Sequence, residues 1–178
     1  MKILLRFLSI ILLVTVYSSA EPAEVINAKA DAAVKVFTKE IKGGDEFLSK
    51  VEGYLVFPEV IKGGFILGGE YGEGVLRVHG ENKAYYRMLS GSIGLQAGMQ
   101  KRSYIIAFVS KKTLEDFMRS NGWEAGVDGS IAVVDWGGGV DLTSLSYEKP
   151  IYAFVFDTKG LMYNLTLEGT KFQRIIPK

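Results

Sequence analysis

The first patterned stretch of the mature chain repeats at helical spacing. Between residues 24 and 41, Ile26, Ala30, Ala33, Val34, Phe37 and Ile41 recur at intervals of three and four, with Lys29, Asp31, Lys35 and Lys39 between them. That period predicts an amphipathic helix with one apolar face. Gly43 and Gly44 end it, and Asp45 is positioned to cap a short second helix through Val51. From Tyr54 onward the texture changes to short apolar or alternating runs cut by glycine. Strands are predicted at Tyr54–Phe57, Gly64–Glu70, Gly74–Val78, Ala84–Met88, Ser92–Met99 and Tyr104–Val109. His79-Gly80-Glu81-Asn82 reads as a hairpin loop. One helix interrupts the strands: Thr113 with Asp116 resembles a capping box, Leu114, Phe117 and Met118 form its apolar side, and Asn121-Gly122 stops it. Strands resume at Ser130–Asp135, Ile151–Phe156, Leu161–Leu167 and Phe172–Ile176, with a polar loop over Gly137–Lys149.

About ten short strands joined by tight turns fit an antiparallel sheet better than a parallel one, which needs a crossover helix between strands. The expected fold is α+β: N-terminal amphipathic helices packed on a curved, mostly antiparallel β-sheet, barrel-like or sandwich-like. Glycines inside strands weaken them unless curvature or close approach requires them. Among the 21 glycines, Gly64, Gly68, Gly69, Gly94 and Gly98 therefore call for a curved sheet.

The first residues follow a different logic. Lys2 and Arg6 precede an apolar run from Phe7 to Tyr17, and Ser18, Ser19 and Ala20 are small. This is the layout of a secretory signal peptide, and the run is shorter than the roughly 20 residues that span a bilayer. Cleavage is expected after Ala20, leaving residues 21–178 as a single domain, periplasmic or secreted. The chain has no cysteine, which removes N-terminal lipoprotein acylation, disulfides and thiolate metal sites from consideration. Taking Lys2 and Arg6 from 21 basic residues leaves 19 against 20 acidic ones, a net charge of −1. Bulk electrostatic binding of nucleic acid is not expected at that balance.

Motifs that could carry chemistry are weak. The Gly68–Gly74 stretch lacks the Gly-Lys-Ser/Thr and following helix of a phosphate loop. His79 is the single histidine, and no Gly-x-Ser-x-Gly elbow accompanies it, so no hydrolytic site is expected. Asp128, Asp135 and Asp141 are too dispersed for a calcium loop and read as turn and edge residues. Asn164-Leu165-Thr166 matches a glycosylation sequon inside an apolar strand pattern. No cofactor is implied.

Taken in order, several segments resemble the SYLF domain. They are Gly53-Tyr-Leu-Val-Phe-Pro58, Val60-Ile-Lys-Gly-Gly-Phe65, Gly68-Gly-Glu-Tyr-Gly-Glu-Gly-Val75, Tyr85-Tyr86, Gly94-Leu-Gln-Ala-Gly98, Trp123–Ser130 and Lys159–Gly169. The resemblance runs from about Ala30 to the C-terminus. That family includes eukaryotic phosphoinositide- and actin-binding proteins and exported bacterial lipid-binding ones, so the resemblance implies lipid binding without catalysis. Many bacterial relatives resemble lipoproteins, whereas this chain lacks the required cysteine.

The residues suggest how lipid would be held. Lys62 and Lys159 each neighbour glycine at a strand mouth, where an ammonium and open backbone N–H groups can meet a phosphate. Lys42 and Lys50, near the helix ends, are candidates to extend that patch to anionic phospholipid headgroups. Ile26, Val34 and Phe37 of the first helix are candidates to insert shallowly into a membrane surface or line an acyl groove. The alternative is a structural or protein-interaction module of the cell envelope that binds another envelope protein.

Overall fold

The computed structural model describes residues 20–64, 67–93, 98–135, 141–159 and 167–178. Helix α1 (Ala23–Glu40) and α2 (Gly44–Lys50) precede four long strands, β1 (Gly53–Gly64), β2 (Leu67–Val78), β3 (Glu81–Ile93) and β4 (Gly98–Phe108). Helix α3 (Lys111–Arg119), β5 (Trp123–Glu124), β6 (Ala132–Asp135), β7 (Ile151–Lys159) and β8 (Lys171–Ile175) follow. Among the described residues eight strands form one sheet in the order β5-β8-β3-β2-β1-β4-β7-β6, antiparallel except for the parallel pair of β6 with β7. The α+β architecture with a curved, mostly antiparallel sheet is thus what the chain adopts.

The first four strands are longer than the sequence pattern predicts. Pro58 splits the apolar pattern of β1, because proline cannot donate to a ladder. The sheet accommodates it with a bulge: Phe57 and Pro58 oppose the single residue Gly74 on β2. On the β4 side the register slips between Phe57 and Val60, and the Ser103 hydroxyl donates to the Pro58 carbonyl at 2.7 Å. The glycine-rich run of β2 reaches this bulge at Gly74 and is otherwise paired on both sides, from Gly68 to Arg77 with β1 and from Leu67 to Val78 with β3.

Other boundaries shift for local reasons. The first hairpin turns on His79 and Gly80 alone, both at positive φ of 50° and 82°, which frees Glu81 and Asn82 to pair in β3. Asp45 does not cap α2; Gly43, at a φ of 79°, precedes the helix instead. Ser110 rather than Thr113 caps α3, accepting from the Thr113 amide at 3.2 Å. Asp128 accepts from the Glu124 amide and Asp141 from the Thr143 amide, the turn roles expected of them. The strand expected at 161–167 and the Asn164 sequon fall on residues 161–166, outside the described residues, as do positions 94–97 of the strand expected at Ser92–Met99.

Both faces of the sheet are buried, which explains the nearly continuous apolar runs of β1, β4 and β7. On one face, Val56, Val75, Ile105, Ala107, Phe154 and Phe156 pack against Ile26, Ala30, Ala33 and Phe37 of α1 and Phe47 of α2. On the other, Leu55, Phe57, Tyr86, Tyr104, Ile106 and Phe108 meet Leu114 and Phe117 of α3, with Trp123 and Phe172.

The second face is concave. Phe57 on β1 and Phe172 on β8 are three strands apart, about 14 Å in a flat sheet at ~4.8 Å per strand. Their ring centroids are nevertheless 5.8 Å apart. The two outer strands, β5 and β6, are joined by residues 125–131 alone, and Gly126 turns back to bond the Gly129 carbonyl at 2.8 Å. So short a link cannot cross a flat sheet of eight strands. The result is a curled half-barrel closed on its inside by aromatic side chains.

Candidate functional site

Antiparallel register gathers polar residues at the sheet end away from the His79 hairpin. Tyr71 on β2 lies opposite Ile61 on β1, Ile61 opposite Lys101 on β4, and Lys101 opposite Lys159 at the end of β7. Directly opposed residues share a face, so Tyr71, Ile61 and Lys101 share one, and Lys159 continues the transverse row at its register position on the fourth strand. It continues the face that carries α1, beyond the helix N-terminus. Ile61 is an exposed large apolar side chain, at 37%. Lys101 Nζ sits 3.1 Å from Glu59 Oε2 in an ion pair open to solvent. Such an exposed pair contributes little and opens easily.

Lys62 shares this end of the sheet but lies on the concave face, opposite to that of Ile61 and Lys101. It lies opposite Glu70 and Gln100, and its Nζ is 3.2 Å from Glu70 Oε1. Arg102, only 3% exposed, places Nη1 3.8 Å from the same carboxylate oxygen and donates through Nη2 to Gln100 at 2.8 Å. The Tyr104 hydroxyl donates to Glu70 Oε2 at 3.3 Å. Burial, with the Glu70 charge adding to it, pushes the Tyr104 hydroxyl up to about 12. A phenol held above its ordinary value of about 10 favours folding while neutral, and that contribution is lost as pH rises through the folded value. An absorbance titration at 295 nm should therefore show at least one tyrosine ionising near pH 12 together with loss of tertiary structure; ionisation of every tyrosine near pH 10 with the fold intact would contradict it.

The other two lysines lie elsewhere. Lys42 Nζ is 2.7 Å from Asp141 Oδ2, and Lys50 Nζ is 2.5 Å from Glu46 Oε1. The hydrogen bond from Lys42, then those from Thr143, hold the Asp141 carboxyl down at about 2. Lys50 ends the helix that leads into Gly53, and from Gly53 to Lys62 the strand advances about 30 Å at ~3.3 Å per residue. Lys50 therefore does not extend the patch at Lys62 and Lys159, because it sits at the opposite end of the sheet, and Lys42 is held instead against Asp141.

The first helix is also used differently from the expectation of an inserting face. Ile26 and Phe37 are 1% and 0% exposed, covered by the sheet. Val34 is half-buried beside them, on the wall of a cleft that runs to the His79 turn. In this packing Ile26 and Phe37 complete the core and do not face a bilayer.

Sequence reasoning missed Ile61, Lys101, Arg102 and Glu70. The adjacent basic pair Lys101-Arg102 was visible, but only the register sends one to each face. Glu70 was hidden inside a glycine motif.

The fold and this end of the sheet define an α+β half-barrel with an aromatic interior and a lysine-bearing rim. Residues 89–174 match the family model described as Ysc84, Las17-binding protein actin regulator. That family is the SYLF domain whose motifs the chain resembles, and the matched segment runs from β3 to β8, including Lys101 and Lys159. No curated protein matches the chain.

Proposed function

We propose that this is a non-catalytic lipid-binding protein that contacts anionic phospholipid headgroups at a membrane surface through the sheet end carrying Ile61, Lys101 and Lys159. The supporting observation is the cross-strand row itself, which sets two lysine positions beside an exposed apolar residue. Headgroup phosphate would pair with the ammonium groups while Ile61 enters the interface, and each lysine near an anionic surface contributes about 1 kcal/mol. The SYLF match supports the same reading, since the family resemblance implies lipid binding. We read residues 1–20 as a signal peptide, so that the processed protein meets membranes from the periplasm or outside the cell.

Co-sedimentation of the processed protein with phosphatidylglycerol-containing vesicles tests the proposal. Binding should weaken as salt rises, and Lys101→Glu with Lys159→Glu should weaken it at least tenfold. Equal binding by the double variant rules the row out. The family description names a protein partner, which favours a second reading as a protein-interaction module of the envelope. Native mass spectrometry separates the two: co-purified phospholipid supports the first, and a lipid-free mass with a co-purifying envelope protein supports the second.

A further inference from the structure

The Glu21 backbone nitrogen lies 2.8 Å from Glu73 Oε2, a contact between residues 52 apart in the chain. We propose that removal of residues 1–20 creates a ligand for a site the folded body already holds: the α-ammonium of Glu21, bound by the Glu73 carboxylate. The step is hydrolysis of the Ala20–Glu21 peptide bond by a leader peptidase. Water is consumed, the leader departs with a carboxylate on Ala20, and Glu21 retains the amine, protonated at neutral pH.

Local geometry fits the new terminus. Pro22, at φ −57°, sets the chain direction immediately before α1 and accepts from the amides of Val25 and Ile26. The Glu21 carboxylate is drawn away along α1 to Lys29 Nζ, at 2.7 and 2.9 Å, which leaves the nitrogen facing β2. The Tyr71 hydroxyl donates to the other oxygen of Glu73 and fixes that side chain from below. Glu59 and Lys101, on β1 and β4, pair with each other. Arg87, opposite Glu73 on β3, forms no ion pair with it among the described residues.

Charge makes the difference between the two forms. In the unprocessed chain Lys29 pairs with the Glu21 carboxylate, while Glu73 accepts from two neutral donors, the Glu21 amide and the Tyr71 hydroxyl. Processing turns an amide N–H into an ammonium and balances the group. A hydrogen bond from an ionised donor to a carboxylate is roughly twice as strong as a neutral one. Without Glu73, a cation placed just before α1 would oppose the helix dipole. The bond ties the start of α1 to the middle of the sheet beside Ile61 and Tyr71, so maturation and tightening of this face are one event.

The sign of the pH dependence follows. An α-amino group ordinarily titrates at about 7.7–8.0; bound to Glu73, its folded value rises. The added stability is complete below the ordinary value and disappears as pH passes through the raised one. The test compares the exported, processed protein with the same chain carrying a Gly-Ser extension before Glu21. At pH 6 the processed form should melt about 2–4 °C higher, and the two should converge at pH 9.5. NMR titration should place the α-amino group above its ordinary range, and Glu73→Gln should return it there. Equal melting at pH 6, an ordinary α-amino titration, or a processed chain beginning elsewhere than Glu21 overturns the proposal. The free-versus-extended comparison requires no variant to fold.

Discussion

Phe117→Ala is expected to lower the free energy of unfolding by about 3–5 kcal/mol, the cost of emptying a large aromatic site in a core. Phe117 is the residue through which α3 grips the concave face. Its ring centroid lies 4.8 Å from Phe108, 4.9 Å from Tyr86, 5.7 Å from Trp123 and 6.1 Å from Phe172. Those partners come from β4, β3, β5 and β8, so the ring is a hub joining β4 to the neighbouring strands β3, β8 and β5, to which no backbone ladder joins it directly. Little can collapse into the space, because the surrounding rings are held by different strands. Domains of this size are stable by about 5–15 kcal/mol in total, and the loss should lower the melting temperature by about 10 °C. Urea unfolding followed by tryptophan fluorescence measures it. Phe117→Leu, which keeps most of the volume, should cost far less. A loss below about 1 kcal/mol for the alanine variant would mean that the curl does not depend on this hub.

Gly74→Ala is the second large effect, and its cause is steric. A Cβ at position 74 would lie 2.2 Å from the Val56 carbonyl oxygen and 2.7 Å from Phe57 Cδ1. Two central strands would have to separate at the bulge that accommodates Pro58, and overpacking with backbone movement costs about 3 kcal/mol or more. Gly91 provides the contrast. A Cβ there meets nothing within 4 Å, and the residue lies in β3 without a positive φ. Gly91→Ala should be neutral or stabilising by up to about 1 kcal/mol, through the entropy of the unfolded chain. Thermal and urea unfolding of the pair decide the matter. Similar effects at both positions would show that glycine serves strand flexibility in general rather than close approach at the bulge.

The two positions also mark how far the sequence can be read. Glycine density announced a curved sheet, but nothing local distinguishes Gly74, which faces a neighbouring carbonyl, from Gly91, which faces open space. That difference is created by the bulge on another strand. Pro58 misled in the same way: by local rules it ends a strand, yet Ser103 and Gly74, distant in sequence, let β1 continue through it. The candidate site shows the same division. Lys62 and Lys159 were legible as cations beside glycine, but their common sheet end and the separation of Lys62 from Lys50 depend on register.

By itself the sequence determined the class: helical spacing before Lys42, alternating and continuous apolar runs after Tyr54, and turn glycines specify helices on a mostly antiparallel sheet, because side-chain periodicity is local. Only the tertiary structure decided which residues share the lysine-bearing rim, that Ile26 and Phe37 are core, and that Glu21 meets Glu73. These depend on pairings between residues far apart in the chain, which register and curl establish and no local pattern encodes.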